Sequence, residues 1–224
     1  MLRIKHLIIT LLLVFGAISS RAQENELMLG VRAGHNVAFG GFAALSLETN
    51  LTFGQCFNIR GGAQYSTIGK TTLEARPSYV YNFSRGSLSV EALINYARLS
   101  STNNLAAGAG IAFSSKWVGG NAGYYYRVYG GAGGRVVEPF NIYYELYANL
   151  LPMIDNWDLQ LVITNNDIFE LERHFQPSFI AQSRYYLGEH VGLSLGVGCK
   201  PAGMFNMSAD YYQSYIKLGV CYRW

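Results

Sequence analysis

The last nine residues of the chain, from Ile216 to Trp224, alternate without a break between apolar and other side chains. Side chains of an extended strand point in turn to opposite faces, so this alternation predicts a strand with two unlike faces. One face carries Ile216, Leu218, Val220, Tyr222 and Trp224, and the other carries Lys217, Gly219, Cys221 and Arg223. An apolar row that ends in aromatics, opposite a row of small and charged groups, is typical of the closing strand of a transmembrane β-barrel.

The first residues of the chain have the layout of a secretory signal peptide. Arg3 and Lys5 precede an apolar run from Leu7 to Ile18, and small residues up to Ala22 follow. The alternative is a membrane-anchoring helix, but the run has about twelve residues and a helix needs roughly twenty to span a bilayer. We therefore predict that residues 1–22 are a cleaved signal peptide and that residues 23–224 form a single transmembrane β-barrel domain.

Composition supports the same class of fold. Hydrophobic residues make up 50% of the chain and charged residues only 14%, below the roughly one quarter of typical soluble proteins. No segment after the signal is long and apolar enough to be a membrane helix, so the surplus apolar residues must be spread over alternate positions. The net charge of +3, without a basic run, gives no support for nucleic-acid binding, and we expect no nucleic-acid partner.

Period-two alternation recurs in about twelve segments separated by turn-rich breaks. The sequence therefore predicts an all-β fold, a closed antiparallel transmembrane β-barrel of about twelve strands, with ten or eight strands as alternatives. An even number puts both termini on the periplasmic side. The short breaks then fall on the periplasmic side, at residues 84–87, 114–116 and 187–190, although the break at residues 150–156 is longer than this rule prefers. The longer breaks fall on the outer side, at residues 129–136, 165–173 and 200–210.

The non-apolar rows decide which face meets lipid. A soluble barrel or sandwich would carry lysine and glutamate on its outer face, whereas these rows consist of glycine, serine, asparagine, glutamine and a few arginines. Such residues suit a confined, hydrated lumen, while closure of the sheet satisfies every backbone group. We therefore predict that the apolar rows contact lipid and that the polar rows line the lumen.

With these features the chain resembles the outer-membrane β-barrel superfamily of Gram-negative bacteria, in particular small porin-like barrels. The Tyr222-Arg223-Trp224 ending, with apolar residues at alternate positions before it, is similar to the signal that the barrel assembly machinery reads. The resemblance implies an integral protein of the bacterial outer membrane with periplasmic N- and C-termini. Its partners would be outer-membrane lipid and, during insertion, the assembly machinery. The assembly signal would consist of Ile216, Leu218, Val220, Tyr222 and Trp224.

Charged side chains on the predicted lumen face are the candidate functional residues. Opposite charges on a barrel wall can pair and hold the interior shut, or they can produce a transverse field at a constriction of a pore. A barrel of eight strands is filled by its side chains and one of sixteen leaves a channel, so twelve strands leave both an occluded and an open lumen possible. The charges are Arg32, Glu48, Arg60, Glu74, Arg76, Glu91, Arg127, Glu145, Arg184, Lys217 and Arg223.

The sequence offers little for catalysis. His35, His174 and His190 remain after the signal, but no local pattern pairs them with a serine and an acid. Residues 130–134 lack the lysine of a phosphate loop and predict a flexible hairpin. Metal ligands show no tight spacing, and cofactors are not expected. Alternation places Cys199 and Cys221 on opposite faces, so we expect no disulfide between them.

The predicted function is a narrow porin-like passive pore for small polar solutes. Two alternatives remain open: a non-conducting barrel with a structural or surface-interaction role, and a hydrolase that acts on lipid at the barrel rim. We do not expect enzymatic activity. Ion conductance separates the pore from the non-conducting barrel.

Overall fold

The computed structural model describes residues 25–131, 133–152, 154–165, 177–201 and 211–224. The predicted signal peptide lies outside the described residues. Within the described ranges no helix is long and apolar enough to cross a membrane. The strands are β1 (Glu26–Asn36), β2 (Gly40–Phe53), β3 (Phe57–Ser66), β4 (Lys70–Phe83), β5 (Gly86–Leu99), β6 (Thr102–Ser115), β7 (Val118–Gly131), β8 (Gly134–Asn149), β9 (Trp157–Thr164), β10 (Ser178–Tyr186), β11 (Val191–Pro201) and β12 (Tyr211–Arg223).

The twelve strands form one closed barrel in which each strand pairs with its neighbours in sequence. Closure occurs between β1 and β12, which pair antiparallel from Glu26 opposite Arg223 to Asn36 opposite Gln213. Backbone hydrogen bonds between Asn25 and Trp224, in both directions, extend this seam. The predicted all-β class, the closed barrel and the number of twelve strands are confirmed.

The outer surface of the barrel is apolar, as the alternation predicts. On β12, Leu218 is 60% exposed while Cys221 on the other face is fully buried. On β1, Val31 is 56% exposed while its neighbour Arg32 is buried. Valine, leucine, isoleucine and tyrosine side chains form an exposed apolar surface around the barrel. This surface is far larger than the apolar patches of soluble monomers, and it suits contact with lipid.

The barrel has two ends that differ in their connections. We call the end that holds Asn25 and Trp224 the termini end, and the opposite end the distal end. At the termini end the strands are joined through residues 54–56, 84–85, 116–117, 150–156 and 187–190. At the distal end they are joined through residues 37–39, 67–69, 100–101, 132–133, 165–177 and 202–210.

One predicted loop is wrong. The glycine-rich stretch at residues 129–136 was expected to be a long outer connection, but β7 continues to Gly131 and β8 begins at Gly134. Gly131 lies opposite Gly134, and Gly134 has a φ of 125°, a conformation that glycine adopts without steric cost. The glycines therefore allow a tight hairpin, and the two strands run on beyond it. The breaks predicted at residues 165–173 and 200–210 lie for the most part outside the described residues, and β11 continues to Pro201.

Candidate pore lumen

Two cavities lie inside the barrel. The vestibule has a volume of about 490 Å³ and reaches the termini end, where Gln55 and Cys56 in the β2–β3 turn line it. The central cavity has a volume of about 410 Å³ and extends from Glu26 to Thr164 and Tyr215. Most of the residues that line each cavity carry polar side chains, as the inward-facing rows of the sequence predict.

The structure brings most of the predicted lumen charges to one place. Eight of them line the central cavity: Arg32, Glu48, Arg60, Glu74, Arg76, Glu145, Arg184 and Lys217. Glu91 is buried beside this cavity in contact with Arg60 and Arg76, and Arg223 pairs at the termini end with Glu26, which also lines the cavity. Arg127 lies apart from both cavities and pairs with Glu138.

Glu91 is the centre of the largest charge cluster. Its side chain has no exposed surface, and its Oε2 accepts a hydrogen bond from Nη2 of Arg60 at 2.8 Å. Nη1 of Arg76 lies 3.7 Å from Oε1, to which the hydroxyl of Tyr143 donates at 3.0 Å. Arg60 and Arg76 are direct cross-strand partners on β3 and β4. Like charges in that position repel, so Glu91 is the group that makes their juxtaposition tolerable.

The cluster continues on β4 and β8. Arg76 Nε donates to Glu74 Oε1 at 2.6 Å, and the amide of Asn95 donates to Glu74 Oε2 at 3.2 Å. Glu145, on the opposite part of the wall, has one hydrogen bond within the described residues, from Asn121 Nδ2 at 3.4 Å. Glu145 lines the central cavity with Arg76, whose positive charge also acts on this carboxylate.

A second charge cluster lies near the termini end. Glu26 pairs with Arg184 at 3.2 Å and with Arg223 at 4.0 Å, and it accepts a hydrogen bond from the hydroxyl of Tyr186 at 3.1 Å. The guanidinium of Arg223 stacks 3.9 Å from the ring centre of Tyr186. Arg223 is the direct cross-strand partner of Glu26 on the adjacent strand β12. Arg184 and Tyr186 lie on β10, which two strands separate from β1, so their contacts with Glu26 reach across the inside of the barrel.

The remaining predicted charges have separate partners. Lys217 on β12 forms an ion pair with Glu48 on β2, across β1. Arg32 is buried with its guanidinium 3.4 Å from the ring centre of Tyr215. A register shift between β7 and β8 places Glu138 opposite Arg127, whose Nη2 lies 2.7 Å from the carboxylate.

Sequence reasoning missed the tyrosines that fill the lumen. Tyr143 and Tyr186 are buried on inward faces, and each bridges across the barrel to a glutamate, Glu91 and Glu26 respectively. Each ring packs where the facing strand has a glycine: a Cβ at Gly123 would lie 2.7 Å from the ring of Tyr143. The sequence did carry a signal for this packing, because the alternation already places these tyrosines and glycines on the same inward face.

At the level of the central cavity, the lumen beside β5 to β7 is filled by side chains. Leu93, Ala106, Tyr125 and Tyr143 form a buried apolar cluster inside the wall of β5 to β8. No described residue of β5, β6 or β7 lines the central cavity, which is bounded by the other strands. Space inside the barrel is therefore displaced toward β9–β12 and β1–β4, where small and amide side chains such as Gln182 and Ser194 face inward.

The groups considered for chemistry do not converge. His35 is exposed on the same face of β1 as Val31, and His190 lies in a turn at the termini end, where its ring nitrogen is 2.9 Å from the carbonyl oxygen of Arg223. His174 lies outside the described residues. Within the described ranges, no group of three or more histidine, cysteine, aspartate or glutamate side chains could hold a metal ion. The cysteines are unbridged, with Cys199 exposed and Cys221 buried.

A closed twelve-stranded antiparallel barrel with an apolar outside and a cavity-bearing inside is the fold of transmembrane β-barrels. Solved structures share this fold at low sequence identity. The KdgM porin is 13% identical with a TM-score of 0.54, and the match covers 88% of this chain and 98% of KdgM. The NanC porin is 12% identical with a TM-score of 0.55, covering 87% of this chain and 98% of NanC.

The translocator domain of the autotransporter NalP from Neisseria meningitidis is also similar, at 11% identity and a TM-score of 0.54, with 99% of this chain and 96% of that domain covered. At these identities the likeness shows a common barrel fold. No protein-family model and no curated protein matches the chain.

Proposed function

We propose that this protein is a narrow passive pore of the bacterial outer membrane for small polar solutes. The observation that carries the proposal is the pair of polar cavities in contact with each other inside the barrel, the vestibule of about 490 Å³ and the central cavity of about 410 Å³. Structures of two porins, KdgM and NanC, share the fold and support the same reading. The eight predicted lumen charges that line the central cavity would then line the solute path.

Single-channel recording tests the pore. The mature chain, folded into detergent and reconstituted in planar bilayers, is expected to give discrete current steps of one size. Folding is checked beforehand by the far-ultraviolet circular dichroism of a β-barrel and by resistance to sodium dodecyl sulfate without heating. A folded barrel that carries no ion current would remove the pore function.

A specific observation favours one second candidate, a non-conducting structural or surface-interaction barrel. Inward-facing residues of the distal half are almost fully buried: the exposed fraction is 2% for Ser66, 1% for Thr72, 2% for Lys200 and 3% for Gln213. A lumen packed in this half would stop solutes. Uptake of small sugars into liposomes that contain the folded protein is expected for the pore and would be absent for the second candidate.

We further propose that the termini end faces the periplasm and that the last apolar row is the assembly signal. Ile216, Leu218, Val220 and Tyr222 are exposed on the outer face, so a folding factor can reach them along the seam between β12 and β1. Removal of Trp224 is expected to lower the yield of inserted barrel in cells, whereas the same truncation should still fold in detergent. Unchanged insertion in cells would contradict the assigned signal.

We propose that the barrel has no enzymatic activity. His35 is exposed on the outer face of β1, and His190 lies in a turn at the termini end. Lipid hydrolysis by the folded wild-type barrel, lost on His35→Ala or His174→Ala, would overturn this part of the proposal.

A further inference from the structure

The vestibule and the central cavity meet at a neck. Three described residues line both cavities, namely Asn50 on β2, Arg60 on β3 and Tyr147 on β8. Asn50 is the direct cross-strand partner of Arg60, so these two side chains form one side of the neck. Tyr147 comes from the other side of the barrel. A solute that moves between the two cavities must pass between these groups.

Tyr147 is the fixed side of this neck. Its hydroxyl hydrogen-bonds Ser114 on β6 at 2.9 Å, and it lies opposite Gly119 on β7. A Cβ at Gly119 would overlap the phenol ring, so glycine is what lets the ring lie flat on the wall. The space left over is set by the side chains on the Arg60 side.

Arg60 is the only charged side chain among the described residues that line the vestibule. The rest of that wall consists of amides, hydroxyls and a few apolar groups. The side chain of Arg60 is 39% exposed, although its counter-ion Glu91 has no exposed surface. A solute in the neck therefore contacts the cation, while the compensating anion is buried behind it.

The guanidinium of Arg60 has donors to spare. An arginine side chain carries five N–H groups, and within the described part of the chain only Nη2 of Arg60 donates a hydrogen bond, to Glu91 at 2.8 Å. Arg60 lines both cavities, so a solute there can accept hydrogen bonds from its other donors. Arginine N–H groups form stronger hydrogen bonds with carboxylates and other small anions than with neutral acceptors, and the guanidinium repels cations.

We propose that Arg60 makes the neck selective for small monoanions, such as chloride and short carboxylates. This inference rests on the proposed pore function. The vestibule offers no competing charge among its described residues, whereas the charges of the central cavity are of both signs and largely paired. Selection by charge therefore occurs at the neck, and Glu91 holds the arginine in place there.

The test is the reversal potential across a bilayer that separates two potassium chloride concentrations. The wild-type barrel is expected to pass chloride in preference to potassium. In Arg60→Gln the chloride-to-potassium permeability ratio should fall about 17-fold. One unit charge about 5 Å from the path in water changes the population of each ion by a Boltzmann factor of about four, and it acts on the two ions in opposite directions. Arg60→Lys keeps the charge and should retain most of the preference.

Two further variants separate a local from a general effect of charge. Arg127→Gln removes the same charge from a buried arginine that lines neither cavity, so its permeability ratio should stay at the wild-type value. Glu145→Gln removes an anion from the central cavity wall and should raise the ratio. Equal shifts in Arg60→Gln and Arg127→Gln would overturn the assignment to Arg60.

The outcomes distinguish this inference from the pore function. Absence of current in the folded wild type would remove both. A conducting wild type that prefers potassium would contradict the anion selectivity of the neck and leave the pore function intact. A conducting Arg60→Gln barrel with an unchanged permeability ratio would lead to the same conclusion. The wild-type ratio decides the matter even where Arg60→Gln does not fold.

Discussion

Removal of the Glu91 carboxylate is expected to destabilise the barrel strongly. Glu91 has no exposed side-chain surface and accepts from Arg60 at 2.8 Å and from the Tyr143 hydroxyl at 3.0 Å. In Glu91→Ala, Arg60 and Arg76 would remain as directly opposed cross-strand partners without the buried anion between them. Breaking a buried ion pair by removal of one partner costs about 3–5 kcal/mol. Loss of two hydrogen bonds to a charged group, at about 1.5–3 kcal/mol each, leads to a similar magnitude.

Reversible urea unfolding in lipid vesicles measures this loss, with tryptophan fluorescence and circular dichroism as independent probes. Glu138→Ala is the matched control, because it also removes the partner of a lumen arginine. The Glu138 side chain is 29% exposed, so water can compensate Arg127, and the expected loss is about 1 kcal/mol. The double variant Arg60→Gln, Glu91→Gln should be more stable than the sum of its single changes predicts.

A small effect would refute this reasoning. If Glu91→Ala lost no more free energy of unfolding than Glu138→Ala, Glu91 would not compensate the paired arginines. Additive single changes in the double variant would lead to the same conclusion, since residues that interact directly are expected to couple.

Three further predictions concern the neck, the outer face and the cysteines. Gly119→Ala should push the Tyr147 ring off the wall into the neck and lower single-channel conductance. Gly133→Ala should leave the conductance unchanged, because a Cβ there meets nothing within 4 Å. Equal conductance in both variants would contradict the role of Tyr147 at the neck. Leu218→Arg on the outer face should lower the free energy of unfolding in vesicles by about 2–4 kcal/mol, and Asn82→Arg in the exposed wall of the vestibule should lower it far less; similar losses would argue against lipid contact on the apolar face. In the folded barrel in detergent, a maleimide should label Cys56, in the β2–β3 turn that lines the vestibule, quickly and the buried Cys221 only after unfolding, as read by mass spectrometry of peptides; rapid labelling of Cys221 would contradict its burial.

Several features of the fold followed from local sequence because a strand's side chains alternate with a fixed period of two. The apolar row of residues 216–224 and the opposite row with Lys217 and Arg223 were enough to predict which face turns outward. The same rule found the number of strands and the sites of most turns. The rule misplaced the strand ends at residues 129–136. The glycines there favour a long loop, but in the structure they make a tight turn between two continuing strands.

The partners of the lumen residues could not be read from the sequence. Strict alternation from Asn141 would place Glu138 on the outer face, and only the register shift between β7 and β8 turns it toward Arg127. Tyr143 reaches Glu91 across two intervening strands, and Tyr186 reaches Glu26 in the same manner. Such contacts depend on how far each strand is displaced along its neighbour, which no local pattern specifies.

The sequence by itself determined the barrel, its inside and its outside, since each of these follows from alternation within single strands and from the scarcity of charge. Only the tertiary structure decided that Arg60, Asn50 and Tyr147 meet at a neck between two cavities. The physical reason is closure. A strand's own residues fix which side chains enter the lumen, whereas the stagger of twelve strands around the barrel fixes which of them face one another across it.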